Sequence, residues 1–166
     1  GSSSTELSQS GGYDGHGRIW LAPAGAAPNH LNVLAVNTTH PFSVDTFAIP
    51  TSDGLTRSGL FNGACINNLG QLVMGPKHAS KLATMSTTTA EFKFFDKWPA
   101  GITASMQNKF AGIACSHFDN AAYLAPSAAD HLVKFDPLAS AGSELSIIGP
   151  WPSEMKLALS SANMFA

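Results

Sequence analysis

Charge is what this chain has least of. Only 12% of its 166 residues are Asp, Glu, Lys or Arg, about half the ordinary share of a globular protein. The net charge is −2 and the basic residues are scattered. No basic patch is therefore predicted for nucleic acid or an anionic membrane surface. No apolar run approaches the roughly 20 residues needed to span a bilayer, so no membrane span is expected. Cysteine is limited to Cys65 and Cys115, too few for a disulfide framework, and neither stands in a Cys-x-x-Cys pair of the zinc or thioredoxin kind. Also lacking are a Gly-x-Ser-x-Gly elbow, a His-Glu-x-x-His helix, a phosphate-cradling loop and a dinucleotide fingerprint. The acidic residues are too separated to nominate a carboxylate dyad. The expectation is a protein that is not an enzyme, with no cofactor and no metal.

In place of charge the chain carries Ala, Ser, Thr, Asn and Gly, with an ordinary 44% of hydrophobic residues. A surface of small neutral polar groups is either covered by neighbours or exposed outside the cytosol. An extracellular or virion-surface location is favoured over a cytoplasmic one. At this length the chain is one domain by the usual prior and large enough for a core.

What is present is a degenerate repeat of about 50 residues, the length of a propeller blade or a similar stacked unit. Gly17-Arg18-Ile19-Trp20-Leu21-Ala22-Pro23 aligns with Gly70-Gln71-Leu72-Val73-Met74-Gly75-Pro76 and with Asn120-Ala121-Ala122-Tyr123-Leu124-Ala125-Pro126. Upstream, Phe61-Asn62-Gly63-Ala64-Cys65 matches Phe110-Ala111-Gly112-Ile113-Ala114-Cys115 with one residue of slip. Three copies result, over 8–56, 57–105 and 106–157, and 158–166 reads as the start of an incomplete fourth. Copy one is the loosest; its opening strand is barely legible in Ser8-Gln9-Ser10-Gly11-Gly12.

Copy two gives the local structure most clearly. Residues 60–67 read as a strand, Asn67-Asn68-Leu69-Gly70 as a tight hairpin turn, and 71–75 as a second strand stopped by Pro76. Residues 81–88 and 91–95 supply two more. In the second strand Leu72 and Met74 point one way and Val73 the other, as do Ile19, Leu21 against Trp20 and Ala122, Leu124 against Tyr123. Both faces are apolar, as in a sheet held between two others. A helical turn is an alternative at 127–133 and at 152–157, one that does not override the strand pattern of three aligned copies. Cys65 and Cys115 read as small buried strand residues; a disulfide between them requires the two strands to be neighbours, and equivalent strands of successive units usually diverge too far for it.

The layout of copy three resembles the blade of β-propellers of the kelch and WD40 type: an opening strand with a small residue, a turn, a strand ending Tyr123-Leu124-Ala125-Pro126 and another ending Asp136-Pro137. Copy two has Val73 in place of the aromatic, copy one has Trp20, and the Trp-Asp and Gly-His signatures of WD40 blades are missing. The resemblance implies architecture alone: all-β, three antiparallel four-stranded blade-like repeats, with a β-sandwich or jelly roll as the alternative. A propeller ordinarily has at least four blades. Three copies therefore imply a second chain, a longer chain, or a sandwich seated on a larger assembly, and so self-association or other protein subunits.

Corresponding turns of such repeats gather at one end. Asp14 and His16 of copy one, Asn67 of copy two, and His117 and Asp119 of copy three are thus candidate binding residues, although Asp and Asn are also hairpin-turn residues in their own right. Trp98 and Trp151 each stand beside Pro between copies. They read as plugs between blades or as platforms for a carbohydrate ligand. The function expected is a non-catalytic recognition or assembly module, possibly glycan-binding. The alternatives are a virion or particle surface protein of the decoration or spike kind, and an enzyme on a propeller scaffold.

Overall fold

The computed structural model describes residues 8–23, 31–50 and 59–149. They form three antiparallel four-stranded sheets in which each strand pairs with its successor in the chain. The first holds β1 (Ser8–Tyr13), β2 (Arg18–Pro23), β3 (Asn32–Asn37) and β4 (Val44–Ala48). The second holds β5 (Phe61–Ile66), β6 (Gln71–Pro76), β7 (Leu82–Ser86) and β8 (Phe92–Phe95). The third holds β9 (Phe110–Cys115), β10 (Ala122–Pro126), β11 (Leu132–Phe135) and β12 (Leu145–Ile148). No helix occurs among the described residues.

The first position of the aligned anchor explains why the repeat is recognisable. Gly17, Gly70 and Asn120 have φ of 92°, 68° and 59°. Each closes the turn into the second strand of its sheet in the left-handed region, which glycine and, less readily, asparagine adopt. The third strands are apolar and β-branched in part, and their neighbours hold them extended through regular registers.

The helical alternative at 127–133 is not adopted. The amides of Ser127 and Ala129 donate to Lys109 O at 3.0 and 3.1 Å, and that of Ala128 to Asn108 O at 2.8 Å. These N–H groups are thereby taken by the segment entering β9, and Leu132 begins a strand instead. The same device recurs one sheet earlier, where Lys77, His78 and Ala79 donate to Leu60 O. Residues 152–157 and Trp151 lie outside the described residues.

Sheets pack face to face, and the alternation read from the second strands decides which side chains meet. Leu72, Met74, Ala83 and Met85 lie with Trp20, Ala22, Val33 and Ala35 in one core between the first and second sheets. Ala122, Leu124, Val133 and Phe135 lie with Val73 and Leu82 in another between the second and third. Both inner quartets are fully buried. Each large aliphatic or aromatic member contributes roughly 1.5–3 kcal/mol by leaving water.

Among the described residues the matching quartet of the first sheet, Ile19, Leu21, Leu34 and Val36, has no sheet in front of it: Ile19 is 39% exposed and the rest are half-buried. At the other end of the stack the third sheet presents Tyr123, Ala125, Leu132 and Lys134, all half-buried.

The opening strand β5 has β1 on one side and β9 on the other. Close approach requires small residues there. A Cβ on Gly12 would stand 2.9 Å from Ile66, and one on Gly63, whose φ is +118°, 3.1 Å from Ile113. This convergence overturns the expectation for the cysteines. Cys65 and Cys115, with Cα atoms 5.6 Å apart, form a disulfide between β5 and β9. Between the opening strands of successive sheets, equivalent positions come together rather than fan out. Asn62 Nδ2 adds a bond to Ala111 O at 3.0 Å across the same seam.

Candidate functional site

In an antiparallel meander the first-to-second and third-to-fourth connections emerge at one end. Three hairpin turns therefore stand side by side there. Each is built on an Asx acceptor that takes the N–H two residues on. Asp14 Oδ1 accepts from His16 N at 2.7 Å, Asn67 Oδ1 from Leu69 N at 3.1 Å, and Asp119 Oδ1 from Ala121 N at 3.3 Å. Asp14 Oδ1 and Asn67 Oδ1 also accept the N–H four residues on, from Arg18 and Gln71.

The two turn carboxylates are further tied to the aromatic of the next strand. Trp20 Nε1 donates to Asp14 Oδ2 at 2.9 Å and Tyr123 Oη to Asp119 Oδ2 at 2.8 Å. Burial pushes the Asp14 pKa up, but the Trp20 indole and the His16 and Arg18 amides outweigh it and leave the carboxyl below its usual range. Asp119 is held well below that range by its bonds with Ser116, Tyr123 and Lys134. Lys134 Nζ lies 3.1 Å from Asp119 and 3.4 Å from Asp136. The hydrogen bond with Asp119 is the largest influence on both the Lys134 ammonium and the Tyr123 phenol and raises the pKa of each.

A pH dependence follows. A carboxylate with a depressed folded pKa stabilises the fold above its unfolded value of about 3.9, and that contribution is lost as pH falls through the folded value. The urea midpoint is expected to decline below about pH 4, where unfolded Asp begins to protonate. Asp119→Asn should flatten part of this acid limb; an unchanged limb would mean that the Asp119 bonds do not favour the folded state.

The second and third turns are stitched together. Asn67, only 3% exposed, donates from Nδ2 to Gln71 Oε1 at 3.0 Å and reaches Asn120 O at 3.4 Å. Asn68 Nδ2 donates to His117 O at 2.6 Å, and Asn68 Oδ1 lies 2.8 Å from His117 Nδ1. Between these turns and that of the first sheet is a cleft of about 400 Å³, lined among others by Tyr13, Asp14, His16, Asn67, Asn68 and His117. That volume falls in the range of small-molecule sites. At the same end, Leu69 is 44% exposed and Phe118 fully so.

Four of the candidate residues therefore converge: Asp14, His16, Asn67 and His117. Asp119 is directed instead to Tyr123 and Lys134. Trp98 is at the opposite end of the sheets. Its Nε1 donates to Ser80 O at 2.8 Å and its ring packs 5.9 Å from that of Phe110, so it fills the gap between the second and third sheets. Tyr13, Thr87 and Thr88 also line the cleft and were not nominated. The signal for the threonines was strand parity, which returns the third-to-fourth connection to the same end. Among the described residues no three of His, Cys, Asp and Glu are grouped as metal ligands, and no helix is long and apolar enough to cross a membrane.

No family model matches the chain, and no curated protein does. Solved structures do. A streptogramin B lyase superposes with a TM-score of 0.61 at 14% identity, over 91% of this chain and 43% of its own. An auxiliary nutrient binding protein from Bacteroides ovatus gives 0.61 at 9%, over 92% and 34%. The extracellular domain of a one-component system from B. thetaiotaomicron gives 0.58 at 10%, over 91% and 18%. This chain thus spans less than half the length of each. At such identities the likeness defines the fold: an all-β array of blade-type, propeller-like repeats.

Proposed function

We propose that this chain is a non-catalytic recognition module working outside the cytoplasm, and that the turn-end cleft takes its ligand. The observation that carries the reading is the convergence of His16, Asn68 and His117, drawn from three successive repeats, on one cleft of about 400 Å³. Asp14 and Asp119 are committed to turn and aromatic hydrogen bonds, which favours binding over acid–base chemistry. A disulfide between β5 and β9 fits an oxidising compartment. The ligand proposed is a carbohydrate, matched by the side-chain amides, imidazoles and hydroxyls that line the cleft. A glycan array tests this: wild type should bind a restricted set, and His16→Ala with His117→Ala should lose at least about tenfold, the worth of a lost hydrogen bond or two. A blank array for the wild-type protein would end the carbohydrate reading.

The open quartet Ile19, Leu21, Leu34 and Val36 supports a second element of the proposal, pairing of the first sheet with a sheet of another polypeptide. The expected result is a concentration-dependent mass in light scattering that Val36→Lys reduces to that of one chain. A monomer at all concentrations would remove self-association and leave other subunits as the partner.

A further inference from the structure

The Asn68–His117 contact fixes more than the spacing of two turns. The side-chain amide nitrogen and oxygen of Asn68 are distinguished by what faces them. His117 O, a carbonyl with lone pairs only, is 2.6 Å from Asn68 Nδ2, so the amino group must stand there. The other atom, Asn68 Oδ1, then faces His117 Nδ1 at 2.8 Å. It too has only lone pairs, so the hydrogen between them belongs to the imidazole. A neutral imidazole carries one N–H, and which nitrogen holds it is set by the bond the other makes. Nε2 is left bare.

We infer that Asn68 is a positioning residue that locks His117 in its Nδ1–H tautomer, so that the cleft offers an unprotonated ring nitrogen as a hydrogen-bond acceptor for a neutral ligand rich in hydroxyl groups. The ligand class rests on the cleft being the binding site; the tautomer does not. A bare ring nitrogen accepts from an O–H or N–H and repels the lone pairs of a carboxylate or phosphate. The clamp spans the second and third repeats, so the acceptor is aimed by a neighbouring turn and not by its own.

Long-range proton–nitrogen spectra of the imidazoles, recorded at about pH 8 where solvated imidazole is neutral, test the inference directly. His117→Ala assigns the signals. The wild-type protein should show His117 as Nδ1–H with a bare Nε2. Asn68→Ala should shift it toward the mixture of a solvated ring. An Nε2–H signal in the wild-type protein, or no change in Asn68→Ala, overturns the lock. Since the wild-type spectrum decides the tautomer alone, a poorly folding variant does not rescue the idea. Titration with the methyl glycosides of glucose, galactose and mannose should move His117 Nε2, and inorganic phosphate should not. A phosphate response exceeding that of every glycoside overturns the ligand class. A response to neither, with a blank array, removes the cleft as a carbohydrate site while the tautomer stands or falls on its own spectrum.

Discussion

Reducing the Cys65–Cys115 disulfide should cost this protein about 4 kcal/mol of stability, by the loop-closure estimate for cysteines 50 residues apart. In the unfolded chain the bridge closes that loop and removes conformations the reduced chain recovers. For a domain of this size the loss corresponds to a fall of about 10 °C in the thermal midpoint. The double variant Cys65→Ser, Cys115→Ser should behave like the reduced protein and be insensitive to reductant. Thiol counting after denaturation of the untreated protein should find no free thiol. A midpoint that moves by less than about 2 °C on verified reduction, equivalent to under 1 kcal/mol, would show that packing of β5 against β9 holds the seam without the bridge. The stake is also functional, because β5 and β9 lead directly into the turns that carry Asn68 and His117.

The disulfide is also where sequence reasoning failed most instructively. The repeat placed Cys65 and Cys115 in matching opening strands, which was right. The error lay in where opening strands sit relative to one another. That depends on the glycines: Gly12 and Gly63 occupy positions where a Cβ would press on Ile66 and Ile113 of the next strand. In the sequence they read only as weak strand residues. Their meaning emerges once β5 is known to touch both β1 and β9.

The face assignments, by contrast, were fully legible. Period-two alternation in three aligned second strands separated Leu72 and Met74 from Val73, and the two cores divide them the same way. Helical propensity at 127–133 carried no weight because it is local, whereas the carbonyls of Asn108 and Lys109 that claim those amides arrive from about twenty residues away, beyond any propensity window. The site was half legible. Turn residues at equivalent places could be foreseen to gather, but a side chain's direction within its turn could not. Asp119 turns toward Tyr123 because a phenol and an ammonium stand there, and His117 turns toward Asn68 because an amide of the neighbouring repeat meets both its ring and its carbonyl.

Two adjacent residues of β2 provide the sharpest test of the stacked-sheet architecture. Trp20 is 1% exposed. It faces the second sheet, stacks on Phe47 with ring centroids 5.4 Å apart and donates to Asp14. Trp20→Ala should therefore cost about 3–5 kcal/mol, the range for deleting a large buried aromatic, and should also release Asp14 from its indole donor. Trp20→Phe keeps most of the ring volume, loses the hydrogen bond, and should cost less than half as much. Ile19, one residue earlier, faces the open side of the first sheet and is 39% exposed. Ile19→Ala should cost about 1 kcal/mol or less, because most of the cavity term is missing when solvent already reaches the side chain. Urea unfolding of the four proteins under one condition reads the difference. Equal losses for Ile19→Ala and Trp20→Ala would mean that both faces of the first sheet are covered in solution. A monomer by light scattering would then place that cover within the chain itself, and a larger mass would place it in a partner seated on Leu34 and Val36.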